Sequence, residues 1–315
     1  MLGKGSGFGK VILFGEHFVV HGVPGIVSAI DSTADAEVKK TTKGIKINDE
    51  RKGSKGYAED KKAQQLESID RILKAMDIEP KTVAFDIWLG GNLPGFSGLG
   101  ASAASSVAIV RAIAEEYEKK LSDKRINEIA YEAEKAYAGT PSGIDNTAAT
   151  FGGLLWFKKN MKGGSNTIEK LCLREPVNIV IGSTGIVANT KAMVEGVAER
   201  RQKHPEKYDS LFEQAEAIAL IGRKALQEHN LKKIGALMND NHKLLQEIEV
   251  SHEKLDYLVD VARKQGAYGA KLTGGGGGGC MVALTPGRAL QERVAKTIEN
   301  EGYEVLQTRI GVEKT

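Results

Sequence analysis

The chain has 315 residues, a formal net charge of +3, 41% hydrophobic residues and 27% charged residues. That length is large for one core and predicts two domains, with the composition of a soluble globular protein. The small net charge, the absence of a basic stripe and an aromatic content of 6% argue against nucleic acid as a partner, and no apolar run approaches the ~18 residues of a membrane span.

The first ten residues are glycine-rich and carry no apolar h-region, so no secretion signal is expected. Cys172 and Cys280 show no CxxC or zinc spacing, which fits a reduced, cytoplasmic setting. Residues 10–14 read as a strand, broken by the polar Gly15-Glu16-His17 before Phe18-Val19-Val20 resumes the apolar character. Further strands are expected in 25–30 and 34–49, a solvated loop over 50–60, and a helix over 63–76 carrying Leu66, Ile69, Ile72 and Leu73 at helical spacing. Residues 83–89 read as a strand that leads into Pro94-Gly95-Phe96-Ser97-Gly98-Leu99-Gly100-Ala101-Ser102-Ala103-Ala104-Ser105-Ser106, with a helix following from about 107 to 117.

That glycine–serine loop is the strongest local signal. Glycine lets backbone N–H groups approach a ligand, and the helix start adds unpaired donors and partial positive charge. Together these suit a phosphate. The competing reading is a plain flexible turn. G-x-x-x-x-G-K-[ST] occurs nowhere, so a nucleotide held here is held by another device.

The next helix is expected over 122–138, capped by Ser122 and ended by Gly139 and Pro141. Its apolar stripe is Ile126, Ile129, Ala130, Ala133 and Tyr137, with Glu134 on the edge, as consistent with a solvated carboxylate as with an inward one. Asp145 follows in Pro141-Ser142-Gly143-Ile144-Asp145-Asn146, which reads as a turn where aspartate is also at home as a cap. After a strand near 154–157, residues 158–166 suggest a linker. A strand over 177–182, helices over 211–229, 231–248 and 254–265, a glycine loop over 271–279, a strand over 280–284, a helix over 288–301 and a strand over 303–307 complete the chain.

Phosphoryl transfer needs phosphate-binding donors, a divalent cation, a group for the nucleophile's proton and a cation to offset charge. Ser102 and Glu134 could supply a hydroxyl and a carboxylate, a ligand set suited to Mg²⁺. Asp145 could serve as the positioned carboxylate, and Lys10 as a cation able to pair with it. Taken singly, Lys10 reads as a surface charge, His17 as a core histidine and Asp145 as a cap. A dinucleotide-binding oxidoreductase is disfavoured: in Gly5-Ser6-Gly7-Phe8-Gly9-Lys10, lysine stands where the last glycine of G-x-G-x-x-G belongs, and no strand precedes it.

Taken in order, the segments resemble the GHMP kinase superfamily (galacto-, homoserine, mevalonate and phosphomevalonate kinases). Gly9-Lys10-Val11-Ile12-Leu13-Phe14-Gly15-Glu16-His17-Phe18-Val19-Val20-His21-Gly22 is similar to its first motif in the mevalonate kinase form. Pro94 to Ala104 resembles its phosphate loop, Pro141 to Asn146 the segment bearing its catalytic aspartate, and Lys271-Leu272-Thr273-Gly274 to Cys280 its third glycine motif. Four residues depart from the usual pattern. Ala101 stands for a serine, Gly275 for an alanine, and Gly7-Phe8 for Ala-Pro.

The resemblance implies an α+β, two-domain fold: an N-terminal ribosomal-protein-S5-like domain over 1–165 and a C-terminal ferredoxin-like α/β-plait domain over 166–315. It implies an ATP-dependent kinase acting on the primary hydroxyl of mevalonate, with a relative acting on another hydroxyl or a sugar as the alternative. Asp145 and Lys10 would be catalytic. Pro94, Gly95, Ser97, Gly98, Leu99, Gly100, Ala101, Ser102 and Ala103 would hold the nucleotide. Glu16, His17, Lys10, Asp145, Thr190, Gly274 and Gly275 would face the acceptor, with Ser183 and Lys191 close by. Ser102 and Glu134 would hold Mg²⁺. The partners implied are ATP and a small hydroxy acid, with no membrane or nucleic acid, and a homodimer is allowed.

Overall fold

Glycine at every second position opens the chain, and those residues are strand. β1 (Gly3–Phe14) starts seven residues before the apolar stretch that announces it. A Cβ on Gly3, Gly5 or Gly7 would lie 2.1, 2.3 and 2.2 Å from the carbonyl oxygens of Ala112, Ala108 and Ala104. Two strand residues advance about 6.6 Å and four helix residues about 6 Å, so the glycine row and the alanine row stay in step. The computed structural model describes residues 2–52, 57–96, 98–139 and 141–313.

The chain divides into two compact units, each assembled from three segments. The first comprises residues 1–10, 31–95 and 100–152. In it, the later part of β2 (Gly25–Lys40) runs antiparallel to β4 (Phe85–Gly90), which in turn pairs in parallel with β3 (Ile45–Asp49). So β2 and β3, successive in sequence, are separated by β4. Residues 25–30 and 34–40, expected as separate strands, form one 16-residue strand. The unit's helices are α1 (Tyr57–Ala75), α2 (Ala101–Glu116), α3 (Asp123–Ala138) and α4 (Ile144–Phe151). α1 starts inside the loop expected over 50–60, of which 53–56 lie outside the described residues. α2 starts at Ala101 rather than 107, because small residues bury well against the glycine face of β1.

The second unit comprises residues 11–30, 96–99 and 153–315. Its strands are the first part of β2 with β5 (Leu154–Lys158), β6 (Thr167–Leu171), β7 (Val177–Ser183), β8 (Gly269–Thr273), β9 (Cys280–Leu284) and β10 (Glu304–Ile310). β10, β7, β9 and β8 form an antiparallel sheet in that order, the expected plait. Its helices are α5 (Thr190–Lys203), α6 (Pro205–Gln227), α7 (Leu231–Glu247), α8 (Glu253–Lys264) and α9 (Arg288–Asn300). α7, α8 and α9 pack on that sheet. The core includes Tyr208, Phe212, Leu245, Leu258, Leu272, Met281 and Ile298.

Residues 158–166 connect the antiparallel strands β5 and β6, so they are a hairpin loop rather than a linker. β6 and α5 carry little sequence signal. Only Leu171 is buried in β6 and only Val197 in α5. Residues 271–273, expected as glycine loop, belong to the fully buried strand β8.

Candidate active site

In the first unit, the end of α2 that follows the glycine loop has no side-chain cap, and Gly100 holds the left-handed conformation (φ 69°) before it. The first intrahelical bond is donated by Ala104 N–H to the Gly100 carbonyl, 2.9 Å. The donors of Ala101, Ser102 and Ala103 therefore precede the helical ladder, as an anion cradle requires. Ser97 lies outside the described residues. Upstream, the Gly95 N–H donates to the Lys52 carbonyl at 2.6 Å and Pro94 is buried.

Lys10 is 2% exposed, and its Nζ lies 3.1 Å from Asp145 Oδ1. The stem reaches it by crossing Gly100: a Cβ there would meet Lys10 Cγ at 2.9 Å. Asp145 is not in an irregular turn. It occupies the first turn of α4, entered through left-handed Gly143, where Ser142 Oγ accepts from the Ile144 N–H at 3.3 Å. A carboxylate is favoured there by the helix dipole. Ser102 Oγ donates to Glu134 Oε2 at 3.4 Å, and Glu134 is 5% exposed on the buried stripe of α3. The inward orientation is the one the structure adopts. Among the described residues, no group of three or more His, Cys, Asp or Glu is arranged to hold a metal. Two hard oxygens fit Mg²⁺, which keeps waters and takes phosphate oxygens for its remaining positions.

In the second unit, Gly98 and Gly274 touch backbone to backbone. A Cβ on Gly274 would sit 2.6 Å from Gly98 Cα, and both have positive φ. Gly275 differs from the five glycines after and before it in this run, all of which have positive φ. A Cβ on Gly275 would instead meet Thr190 Oγ1 at 2.5 Å, so its glycine makes room for the first residue of α5. His17 Nε2 lies 2.9 Å from the Gly275 carbonyl oxygen. Burial pushes the imidazole down to about 4, so it is neutral, and its partner requires the proton on Nε2. His17, Thr190 and Gly275 thus converge. Ser183 is buried and accepts from the Gly185 N–H at 3.2 Å, whereas Lys191 is exposed and pairs with Glu195.

Glu16 stands apart from this group. It is 1% exposed and ion-paired with Lys271, which is fully buried. Lys271 and Thr273 lie in the third glycine motif, but sequence reasoning gave neither of them a role or a partner. The usable signal is period two: in a buried strand both point to one face, and a lysine there demands an anion. Its partner lies 255 residues away, beyond any local pattern.

Residues 66–153 match the GHMP kinases N terminal domain family, and residues 223–304 match the GHMP kinases C terminal family. The mevalonate kinase of Pyrococcus horikoshii is 38% identical, over 96% of this chain and 94% of its own length. That of Pyrococcus abyssi is 36% identical over the same shares. The crystal structure of L. major mevalonate kinase in complex with R-mevalonate superposes with a TM-score of 0.92 at 34% identity, covering 99% of this chain and 97% of that one.

Proposed function

The chain belongs to the GHMP kinases, and from that premise we propose that it transfers the γ-phosphoryl group of ATP to the primary hydroxyl of mevalonate, giving 5-phosphomevalonate. Relatives that carry the mevalonate kinase name match nearly end to end, which supports mevalonate over a sugar or homoserine. The observation that carries the chemistry is the Lys10–Asp145 pair, a buried ammonium 3.1 Å from a half-exposed carboxylate.

Asp145 accepts or orients the proton of the attacking hydroxyl. Lys10 holds that carboxylate in place and offsets the negative charge that builds on the reacting oxygens. The N–H groups at the start of α2 bind the phosphates, and the loss of a hydroxyl at Ala101 leaves those backbone donors intact. Ser102 and Glu134 would hold Mg²⁺, which when bound neutralises charge on the phosphate oxygens. His17, Thr190 and Gly275 bind the acceptor. No helix among the described residues is long and apolar enough to cross a membrane.

The test is ADP release with ATP and Mg²⁺ across mevalonate, phosphomevalonate, galactose and homoserine. Mevalonate should give the highest kcat/KM. A clear preference for any other acceptor overturns the assignment.

A further inference from the structure

β1 takes its backbone hydrogen bonds from β2, and β8 takes its own from β9. Side chains nevertheless tie β8 to the end of β1. Thr273 Oγ1 accepts from the Ile12 N–H at 3.0 Å and donates to the Ile12 carbonyl at 3.4 Å. Two residues back on the same face, Lys271 Nζ donates to the Ile12 carbonyl at 3.3 Å, to the Leu272 carbonyl at 2.8 Å and to Glu16 Oε1. Both side chains of the ion pair are 0% exposed.

This clamp sits immediately before two further contacts of the glycine run, one to the turn after β1 and one to the Gly98 loop. His17, next to Glu16, reaches the Gly275 carbonyl, and Gly274, next to Thr273, packs on Gly98. A buried ion pair is a poor way to gain stability, because desolvating two charges offsets most of their attraction and an apolar pair of similar volume does as well. An ammonium with directed donors, each meeting an acceptor from a different direction, does something an apolar pair cannot. It fixes the angle and register of one strand end against another.

We propose that Lys271, acting through Glu16, is a positioning residue for the acceptor. It sets the Gly-Glu-His turn against the glycine run so that His17 meets Gly275 in the geometry the acceptor needs. The role rests on the mevalonate kinase reading above. It also gives Glu16 a different task from contacting substrate: its carboxylate belongs to Lys271, inside the core.

The experiment compares the full-length chain with Lys271→Met, Glu16→Gln and the double variant Glu16→Gln/Lys271→Met. The readouts are Tm, KM for mevalonate and for ATP, kcat, and the ¹⁵N shifts of the His17 ring. Lys271→Met should lose Tm heavily, because it leaves a buried carboxylate without its cation. The double variant should recover most of that Tm, yet keep a mevalonate KM about tenfold or more above wild type with the ATP KM nearly unchanged. Glu16→Gln, which keeps both carbonyl bonds to Lys271, should fold and shift the mevalonate KM in the same direction. In the double variant the His17 Nε2–H resonance should lose its hydrogen-bonded shift. If the double variant or Glu16→Gln folds with wild-type KM and an unchanged His17 spectrum, the positioning role is overturned and the pair only supports stability. The His17 spectrum tests the clamp whatever the acceptor is. A wild-type protein inactive on mevalonate would overturn the functional reading alone.

Discussion

Lys10 and Asp145 are useful to each other only at their observed spacing. At 3.1 Å, the ammonium is placed to orient the carboxylate that handles the proton in the proposed transfer, so the two should act as one unit. Asp145→Asn keeps the size of the side chain but cannot take a proton. Its kcat should fall by about 10²–10⁴-fold, with nucleotide affinity little changed. Lys10→Met should also lower kcat, and the double variant should lose less than the product of the two. Steady-state kinetics on the three variants checks this. Near-normal turnover in Asp145→Asn would reduce the residue to a helix-start carboxylate. Of this pair, the sequence shows the residue types and their motifs. It does not show burial: Lys10 reads as a surface charge by itself, and becomes 2% exposed because Gly100 leaves a path for its stem. Glu134 is similar. Periodicity puts it on the edge of the α3 stripe, and only packing turns it inward toward Ser102.

At the scale of elements, the glycine face of β1 fits closely against the alanine row of α2. The cost of filling it is testable. A Cβ on Gly5 would meet the Ala108 carbonyl at 2.3 Å, Arg111 Cβ at 2.6 Å and the Ala112 nitrogen at 2.7 Å. Neither a strand nor a helix backbone moves cheaply, so Gly5→Ala should destabilise by at least about 1–3 kcal/mol. Gly90, in β4, has open space where its Cβ would go, so Gly90→Ala should stay within about 0.5 kcal/mol of wild type. Chemical denaturation of both variants makes the comparison, and equal midpoints would show that the strand and helix can part without loss. The same packing explains why alternate glycines in residues 3–7 hid a strand. Strand propensity is read from side chains, and here the strand is required by their absence.

Across the whole molecule, two neutral histidines are built into the second unit. Burial pushes His17 and His242 each down to about 4 from the ordinary imidazole value near 6.5, with Asp256 opposing the effect at His242. The unfolded chain therefore binds more protons than the native one between these values. Stability from both residues is complete above about pH 6.5 and is lost as pH falls toward 4. Tm measured from pH 7.5 to 4.5 should drop across that window, and more steeply than in His242→Gln. An identical slope in the variant would mean that His242 is not held neutral.

The sequence by itself determined the family, the order of the motifs, the mixed α/β class and the ends of strongly periodic elements such as α3, α7 and α9. The element ends rest on local period and caps, and the family and fold class on motifs that resemble those of the GHMP kinases. The tertiary structure decided what local patterns cannot carry. It merged residues 25–40 into one strand, inserted β4 between β2 and β3, made each compact unit from three separate segments, and made strand of residues 269–273. It also decided which polar residues of the motifs face each other. Glu16, in the turn after β1, and Lys271, in β8, are 255 positions apart, and nothing near either one names its partner. A buried charge needs a counter-charge, but only the assembled fold determines which one comes within reach.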